Sequence, residues 1–119
     1  MLSPRCVVID TTDPAALAAF WSAALHAPVR HDWGEYIALA SDPQMSFQSV
    51  GRPTEGKNRL HVDLQVDGAA DAEAEIARLI GLGAVRVASV QMRGVSWVVL
   101  ADPDGNEFCV FTEFVPEIT

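Results

Sequence analysis

One short stretch of the chain places three polar side chains at alternate positions. Residues 59–67 read RLHVDLQVD, so His61, Asp63 and Gln65 alternate with apolar residues. Side chains of a β-strand point alternately to its two faces, and these three would therefore share one face. An imidazole in this setting can bind a metal ion, contact a substrate as an acid or base, or simply face water. The choice depends on which other side chains the fold brings to that face.

The composition of the chain limits its classes of function. Its 119 residues suffice for one domain with a buried core, and 50% of them are hydrophobic. The formal net charge of -8 disfavours nucleic acid and anionic membrane as partners, because both bind basic patches. No apolar run approaches the roughly 18 residues of a membrane span, and the N-terminus lacks a signal-peptide pattern. We therefore expect a cytoplasmic protein with Cys6 and Cys109 as buried, reduced thiols.

Two helices are predicted from capping residues and hydrophobic spacing. Asp13-Pro14 supplies an N-cap and a first-turn proline, and the helix is predicted to end near residues 26–28. Asp67-Gly68 is predicted to open the second helix, which Gly81 and Gly83 would end. The predicted apolar stripes are Leu17, Phe20, Trp21, Ala24 and Leu25 in the first helix, and Ala69, Ala72, Ile76, Leu79 and Ile80 in the second.

The segments around the two helices repeat. Residues 7–13 (VVIDTTD) precede the first helix as residues 61–67 (HVDLQVD) precede the second. Asp-Pro pairs at residues 42–43 and 102–103 then precede the last strand of each copy. The other predicted strands are Val29–Asp32, Tyr36–Ala40 and Met45–Val50 in the first copy, and Val85–Val90, Val95–Leu100 and Phe108–Phe111 in the second.

The repeat predicts an α+β fold made of duplicated βαβββ modules. The first module would occupy about residues 4–50 and the second about residues 59–114. The intervening segment GRPTEGKN, residues 51–58, is polar and contains Gly and Pro, which is typical of a linker. Lys57-Asn58-Arg59 at its end is a tight basic cluster that fits a solvated linker better than an anion site. The turn at residues 102–106, DPDGN, is predicted to be structural.

Three segments carry a family resemblance: DPAALAAFWSAAL (residues 13–25), KNRLHVDLQVD (57–67) and DPDGNEFCVF (102–111). Together with the duplication, they resemble the vicinal oxygen chelate superfamily, and most closely its small glyoxalase-like domain group. The resemblance covers nearly the whole chain and implies that the two modules form a curved mixed-sheet cup. Enzymes of the superfamily hold a divalent metal at the base of the cup as a Lewis acid. The superfamily also includes glyoxalase I, fosfomycin and bleomycin resistance proteins and extradiol dioxygenases, so the fold alone leaves the activity open.

The metal ligands implied by this resemblance are only partly present. Superfamily enzymes usually take His, Glu or Gln from the first and last strand of each module. The matching positions here are Val7, Gln48, His61 and Cys109. They offer at most two good donors, whereas a catalytic site usually keeps three protein ligands. No metal cofactor is therefore favoured; if a Zn, Ni, Mn or Fe ion binds, we expect His61 and Gln48 with Glu107 or Cys109 as ligands.

Aromatic side chains complete the predicted binding site. Trp33, Trp97 and Phe111 could form the flat walls of a small-molecule pocket, although core packing and dimer contact explain each of them equally well. The predicted ligand-binding residues are His61, Asp63, Gln48, Trp33, Trp97, Cys109 and Phe111.

The sequence therefore predicts a homodimer of the glyoxalase/bleomycin resistance type that binds a small organic ligand without a catalytic metal. Two enzymatic alternatives stay open. One is a metal-dependent lyase, isomerase or dioxygenase of the glyoxalase type. The other is a metal-free enzyme in which His61 is the catalytic acid–base.

Overall fold

The computed structural model describes residues 1–66 and 71–113, which belong to two compact units, Met1–Glu55 and Gly56–Thr119. We call these units the first and the second module. Each contains one helix and one four-stranded mixed sheet, so the predicted α+β fold with duplicated βαβββ modules is confirmed. Among the described residues, no helix is long and apolar enough to cross a membrane.

The first module is a sheet with one helix packed on it. Its elements are β1 (Val7–Thr11), α1 (Pro14–Leu25), β2 (Val29–Asp32), β3 (Tyr36–Leu39) and β4 (Met45–Ser49). The strand order is β1-β4-β3-β2, with β1 parallel to β4 and the other pairs antiparallel. Helix α1 packs on β3 and β4 and buries Leu17 and Trp21, while Phe47 of β4 is fully buried.

The ends of α1 follow the predicted capping residues. The Asp13 side chain accepts a hydrogen bond from the Ala16 N–H at 3.1 Å. Pro14 occupies the first turn, where the backbone N–H that proline lacks would have no partner within the helix. The helix ends at His26, whose left-handed backbone (φ 52°) turns the chain away from the helix axis. The prediction for α1 is confirmed at both ends.

The second module repeats this arrangement. Its elements are β5 (Asp63–Gln65), α2 (Ala72–Leu82), β6 (Val85–Met92), β7 (Val95–Ala101) and β8 (Glu107–Glu113). The strand order is β5-β8-β7-β6, with β5 parallel to β8. Helix α2 contacts β8. Its buried hydrophobic core includes Ile76, Leu79, Val98, Leu100, Phe108 and Val110.

Helix α2 differs from its prediction at both ends. Its N-cap is Asp71, whose side chain accepts from the Glu73 N–H, whereas the predicted opening at residues 67–68 and the predicted stripe residue 69 lie outside the described residues. At the other end, Gly81 lies inside the helix and Gly83 ends it. Gly83 has φ +123°, a conformation that side-chain-bearing residues rarely adopt, so it is the effective stop signal.

Two further expectations are corrected. His61 does not lie in a strand: β5 begins at Asp63, and before it the Leu60 carbonyl accepts a hydrogen bond from the Asn58 side chain. Leu60, predicted on the apolar face of the same strand, is accordingly exposed. Both cysteines are free, and Cys109 is buried as predicted, but Cys6 is only half-buried because it precedes β1.

Candidate functional site

One face of the second-module sheet collects most of the predicted site residues. Strand β5 runs parallel to β8 with Asp63 opposite Cys109 and Gln65 opposite Phe111. Strand β7 runs antiparallel to β8 with Trp97 opposite Phe111. Because side chains alternate along a strand, these five residues share one face, while Phe108 and Val110 point to the other, where α2 packs. We call the face formed by these five residues the site face.

His61, Asp63 and Cys109 form a compact polar cluster at one end of this face. Their metal-ligating atoms all lie within 4.8 Å of one another. The Nε2 atom of His61 is 3.1 Å from Oδ1 of Asp63, and the two side chains are 49% and 53% exposed. Cys109 is only 7% exposed. The cluster therefore has a buried sulfur at its base and two polar groups that reach solvent.

The Cys109 thiol is held in its protonated form. Burial raises the pKa of Cys109 above its ordinary value, and the charge of Asp63 and its hydrogen bond with the thiol raise it further. Glu107 also raises this pKa, and the positive charge of Lys57 acts in the opposite direction. At neutral pH the S–H group donates to the Asp63 carboxylate, which is not the environment of an activated nucleophile.

Asn58 fastens the segment before β5 to the start of β8. Its side-chain amide donates to the carbonyl oxygens of Leu60 at 2.5 Å and Glu107 at 3.0 Å. Its side-chain oxygen accepts from the Glu107 N–H at 2.8 Å. On the other side of His61 in the chain, the Val62 carbonyl accepts from the Cys109 N–H at 2.9 Å. These contacts bracket His61 and hold its backbone beside β8.

This positioning role of Asn58 was missed from the sequence. The Lys57-Asn58-Arg59 cluster was interpreted by the charges of its two basic residues, whereas the residue with the structural role is the neutral Asn58. An Asn in a Gly/Pro-containing segment is a known signal for side-chain-to-backbone bonding. That signal predicts that such bonds form, but it does not identify the partner, Glu107, which lies 49 residues further along the chain.

Glu107, an alternative metal ligand in the sequence analysis, is engaged elsewhere. Its Oε1 atom lies 3.7 Å from Nζ of Lys57. Glu107 is not among the three residues whose ligating atoms come together, and Asp63 takes the place that was predicted for it. The third donor was missed because strand spacing alone separates Asp63 from His61 by roughly 6.5–7 Å of backbone. In the structure the two side chains nevertheless meet, with Nε2 of His61 3.1 Å from Oδ1 of Asp63.

The aromatic candidates lie in two different places. Trp97 and Phe111 stack across β7 and β8, with ring centroids 5.6 Å apart and an angle of 30° between the rings. Both are half-buried, so part of each ring faces solvent. Trp33 belongs to the first module, is 64% exposed, and stacks between His31 and Tyr36. Gln48 is also in the first module, exposed on β4.

The donor chemistry can be compared with the metal set of the superfamily. Of the four matching positions, Val7 is apolar, Gln48 lies in the first module, and Cys109 supplies sulfur where a carboxylate is usual. The cluster that forms within the second module offers one nitrogen, one oxygen and one sulfur. This set does not fit a hard, oxygen-preferring ion, whereas it matches the donor types of a zinc site.

Comparisons with known proteins agree with the fold. A family model described as a glyoxalase-like domain matches residues 6–111. A search of curated proteins gives no significant match. Among solved structures, the chain is similar to a glyoxalase/bleomycin resistance protein/dioxygenase family enzyme from Burkholderia phytofirmans. The identity is 19% and the TM-score 0.79, with 90% of this chain and 95% of that chain covered.

Two further similar structures are a ligand complex and a lyase. One is a variant of the fosfomycin resistance protein FosX from Listeria monocytogenes, complexed with Mn(II) and 1S,2S-dihydroxypropylphosphonic acid. It is 12% identical to this chain with a TM-score of 0.79, and the match covers 97% of this chain and 93% of that chain. A lactoylglutathione lyase from Agrobacterium tumefaciens is 15% identical with a TM-score of 0.69, covering 92% of both chains. At these identities the likeness shows a shared fold.

Proposed function

This chain belongs to the glyoxalase-like domain family, and from that premise we propose that it binds a small organic ligand on the site face of its second module, without a catalytic metal. The observation that carries the proposal is that an apolar aromatic surface and a cluster of polar groups lie side by side on the site face. The Trp97–Phe111 stack offers flat apolar area, and the cluster of His61, Asp63 and Cys109 offers polar groups beside it. Small-molecule sites typically combine such apolar walls with few, well-placed polar groups.

The spacing of the two parts suits a ligand of modest size. Cys109 and Phe111 are two residues apart on β8, which places the aromatic stack roughly 6.5–7 Å from the base of the cluster. A planar ligand resting on Trp97 would thus reach the cluster with a substituent on its ring. The exposed edges of His61 and Asp63 supply a donor and an acceptor for that substituent.

The polar cluster supports binding without a metal-assisted step. Asp63 accepts from both His61 and Cys109, so the groups of the cluster satisfy one another. Such a network is rigid because each member is held by another, and rigidity lowers the entropy cost of ordering the site on binding. The anchoring of the preceding segment by Asn58 adds to this preorganisation.

A fluorescence screen tests the proposal. Planar aromatic and heteroaromatic compounds are titrated into the full chain, and we expect a subset to quench the emission of Trp97 with saturation. The signal change should disappear in Trp97→Phe and persist in Trp33→Phe, because Trp33 lies in the first module. If no compound binds, or if Trp33→Phe abolishes the signal while Trp97→Phe keeps it, the proposed site is wrong.

A second candidate function is a metal-dependent lyase, isomerase or dioxygenase of the glyoxalase type. The specific observation in its favour is that three ligating atoms lie within 4.8 Å of one another. In that case His61, Asp63 and Cys109 would hold the ion, which would supply Lewis acidity toward substrate oxygens. Turnover that stops on chelation and returns with added metal would favour this candidate over the metal-free one.

Homodimerisation and a cytoplasmic location stay predictions.

A further inference from the structure

We infer that the second module has a further binding site, on the side of its sheet opposite the site face, and that this site takes a free α-amino acid. Glu73 of α2 and Arg86 of β6 line the same pocket there and supply one negative and one positive charge. The inference goes beyond the proposed function, because it concerns another surface, other residues and a ligand that is zwitterionic rather than aromatic.

The register of the strands shows on which side of the sheet the pocket lies. Ser89 of β6 pairs with Val98 of β7, and Gln91 pairs with Ser96. Residues that pair directly across two strands share a face of the sheet. Val98 is buried and pairs in turn with Val110, which points to the side where α2 packs. Ser89, Gln91 and Ser96 therefore project to the helix side of the sheet, away from the site face.

Helix α2 leaves part of this side open. It packs on β8, whereas β6 is the edge strand of the sheet and its helix-side residues are exposed. The opening is a pocket of about 340 Å³, which is in the range of small-molecule sites. Its polar lining residues are Glu73, Arg86, Ser89, Gln91, Ser96 and Thr112. The pocket therefore offers a polar ligand one cation, one anion, three hydroxyl groups and an amide.

Glu73 and Arg86 are near enough to attract each other but too far apart for a short hydrogen bond. Oε2 of Glu73 lies 3.6 Å from Nη1 of Arg86, and Nη2 of Arg86 lies 3.5 Å from the Ser89 hydroxyl. Charge-assisted hydrogen bonds of this type measure about 2.7–2.9 Å. The pair Arg78 and Glu75 in the same module reaches 2.8 Å. The Arg86 guanidinium and the Glu73 carboxylate therefore keep hydrogen-bonding capacity for a ligand.

The two charges determine the class of ligand. A guanidinium group binds a carboxylate through two parallel hydrogen bonds, and a carboxylate accepts from an ammonium group. A ligand with only one of these charges would draw Arg86 or Glu73 away from the other. An α-amino acid carries both charges on a single carbon, so it replaces one loose ion pair by two close ones. The Gln91 amide and the Thr112 hydroxyl favour an amino acid whose side chain is also polar.

Isothermal titration calorimetry of the full chain tests the inference, with L-serine, L-asparagine and L-glutamine as probes. We expect at least one of them to bind with one ligand per chain. Acetylation of its amino group removes the positive charge, and amidation of its carboxyl group removes the negative charge. Each change should weaken binding by about tenfold or more, because a hydrogen bond between charged groups is lost. The corresponding dipeptide, in which the two charges lie further apart, should also bind more weakly.

Matched variants locate the site. Glu73→Gln and Arg86→Gln should each weaken binding by about tenfold. Glu75→Gln and Arg78→Gln change the same residue types in the close pair of α2, which does not line the pocket, and should leave binding unchanged. Circular dichroism confirms that each variant is folded.

Three results would each overturn the inference: no binding by any of the three probes, equal affinity for the N-acetylated derivative, or equal losses in the two pairs of variants. The comparison of derivatives uses the wild-type chain, so it holds even if a variant does not fold. Quenching of Trp97 by an aromatic compound is a separate readout, so either proposal can fail without the other.

Discussion

Oδ1 of Asp63 lies 3.1 Å from Nε2 of His61, although sequence spacing alone would separate the two residues along a regular strand. Strand β5 starts at Asp63, and the chain before it is held by the Asn58 side chain. The contact between the two side chains makes Asp63 the centre of the cluster, with His61 on its exposed side and Cys109 beneath it.

The stability of the ion-free protein should fall at alkaline pH because of Cys109. The folded chain holds the thiol proton more tightly than the unfolded chain, since the folded pKa of Cys109 is raised. The contribution is fully present below the unfolded thiol pKa of about 8.5 and is lost as the pH rises toward the folded value. Urea unfolding between pH 7 and about pH 10 should show this loss in Cys6→Ser and not in the Cys6→Ser/Cys109→Ala double variant. Equal slopes in both would contradict it.

The two thiols should differ in reactivity. Alkylation requires the thiolate, and Cys109 is both buried and held protonated, whereas Cys6 is half-buried before β1. With iodoacetamide at pH 8, mass spectrometry should find Cys6 modified first and Cys109 modified only slowly. Asp63→Asn removes a negative charge from beside the thiol and should speed the reaction of Cys109. A Cys109 that reacts as fast as Cys6 in the wild-type chain would show that the thiol is not held as described.

Asn58→Ala should destabilise the second module, because the half-buried Asn58 side chain bonds to the backbone of two segments. The substitution removes three hydrogen bonds and leaves the Glu107 N–H without its acceptor, at a cost of about 1–3 kcal/mol. The neighbouring variant Lys57→Ala is the matched control. It loses an ion pair whose lysine is mostly exposed and whose N–O distance is 3.7 Å, and it should cost less than about 1 kcal/mol. Chemical unfolding measures both, and a cost for Asn58→Ala no larger than that for Lys57→Ala would remove its positioning role.

The two N-cap residues, Asp13 and Asp71, should stabilise their helices by similar amounts. Asp13 accepts from Ala16 N–H and Asp71 accepts from Glu73 N–H, so each satisfies a donor of the first helical turn. Asp13→Ala and Asp71→Ala should each destabilise the chain by about 0.5–2 kcal/mol. Thermal unfolding of the two variants, with Asp13→Asn and Asp71→Asn as conservative controls, tests this equivalence. A neutral effect of either alanine variant would contradict the capping role at that helix.

Much of the fold could be predicted because it depends on local signals. Asp13-Pro14 defines where α1 begins, and the apolar spacing of Leu17 and Trp21 defines the face it buries. The Asp102 turn was also predictable, since its side chain accepts from the N–H groups of Asp104 and Asn106. In each case the residues that determine the structure are close together in the sequence.

The candidate site was less predictable because it depends on long-range contacts. The sequence indicated His61 and Cys109 by their positions in the repeat. It did not show that Asn58 would bond to Glu107, or that the strand would begin at Asp63 and leave His61 outside it. Without that contact, Asp63 could not be recognised as the third member of the cluster. Predicting the partner of an Asn side chain requires the register of β5 against β8, which the sequence pattern alone does not provide.

The central claim is that the polar cluster and the aromatic stack of the second module form one binding site. The most direct test is the dissociation constant of a compound from the fluorescence screen, measured by calorimetry for two matched pairs of variants. His61→Ala and Trp97→Ala should each weaken binding by about tenfold, or about 1.4 kcal/mol. His31→Ala and Trp33→Ala, the corresponding residue types of the first module, should leave it unchanged. Equal losses in the two pairs, or no loss from either second-module variant, would contradict the account.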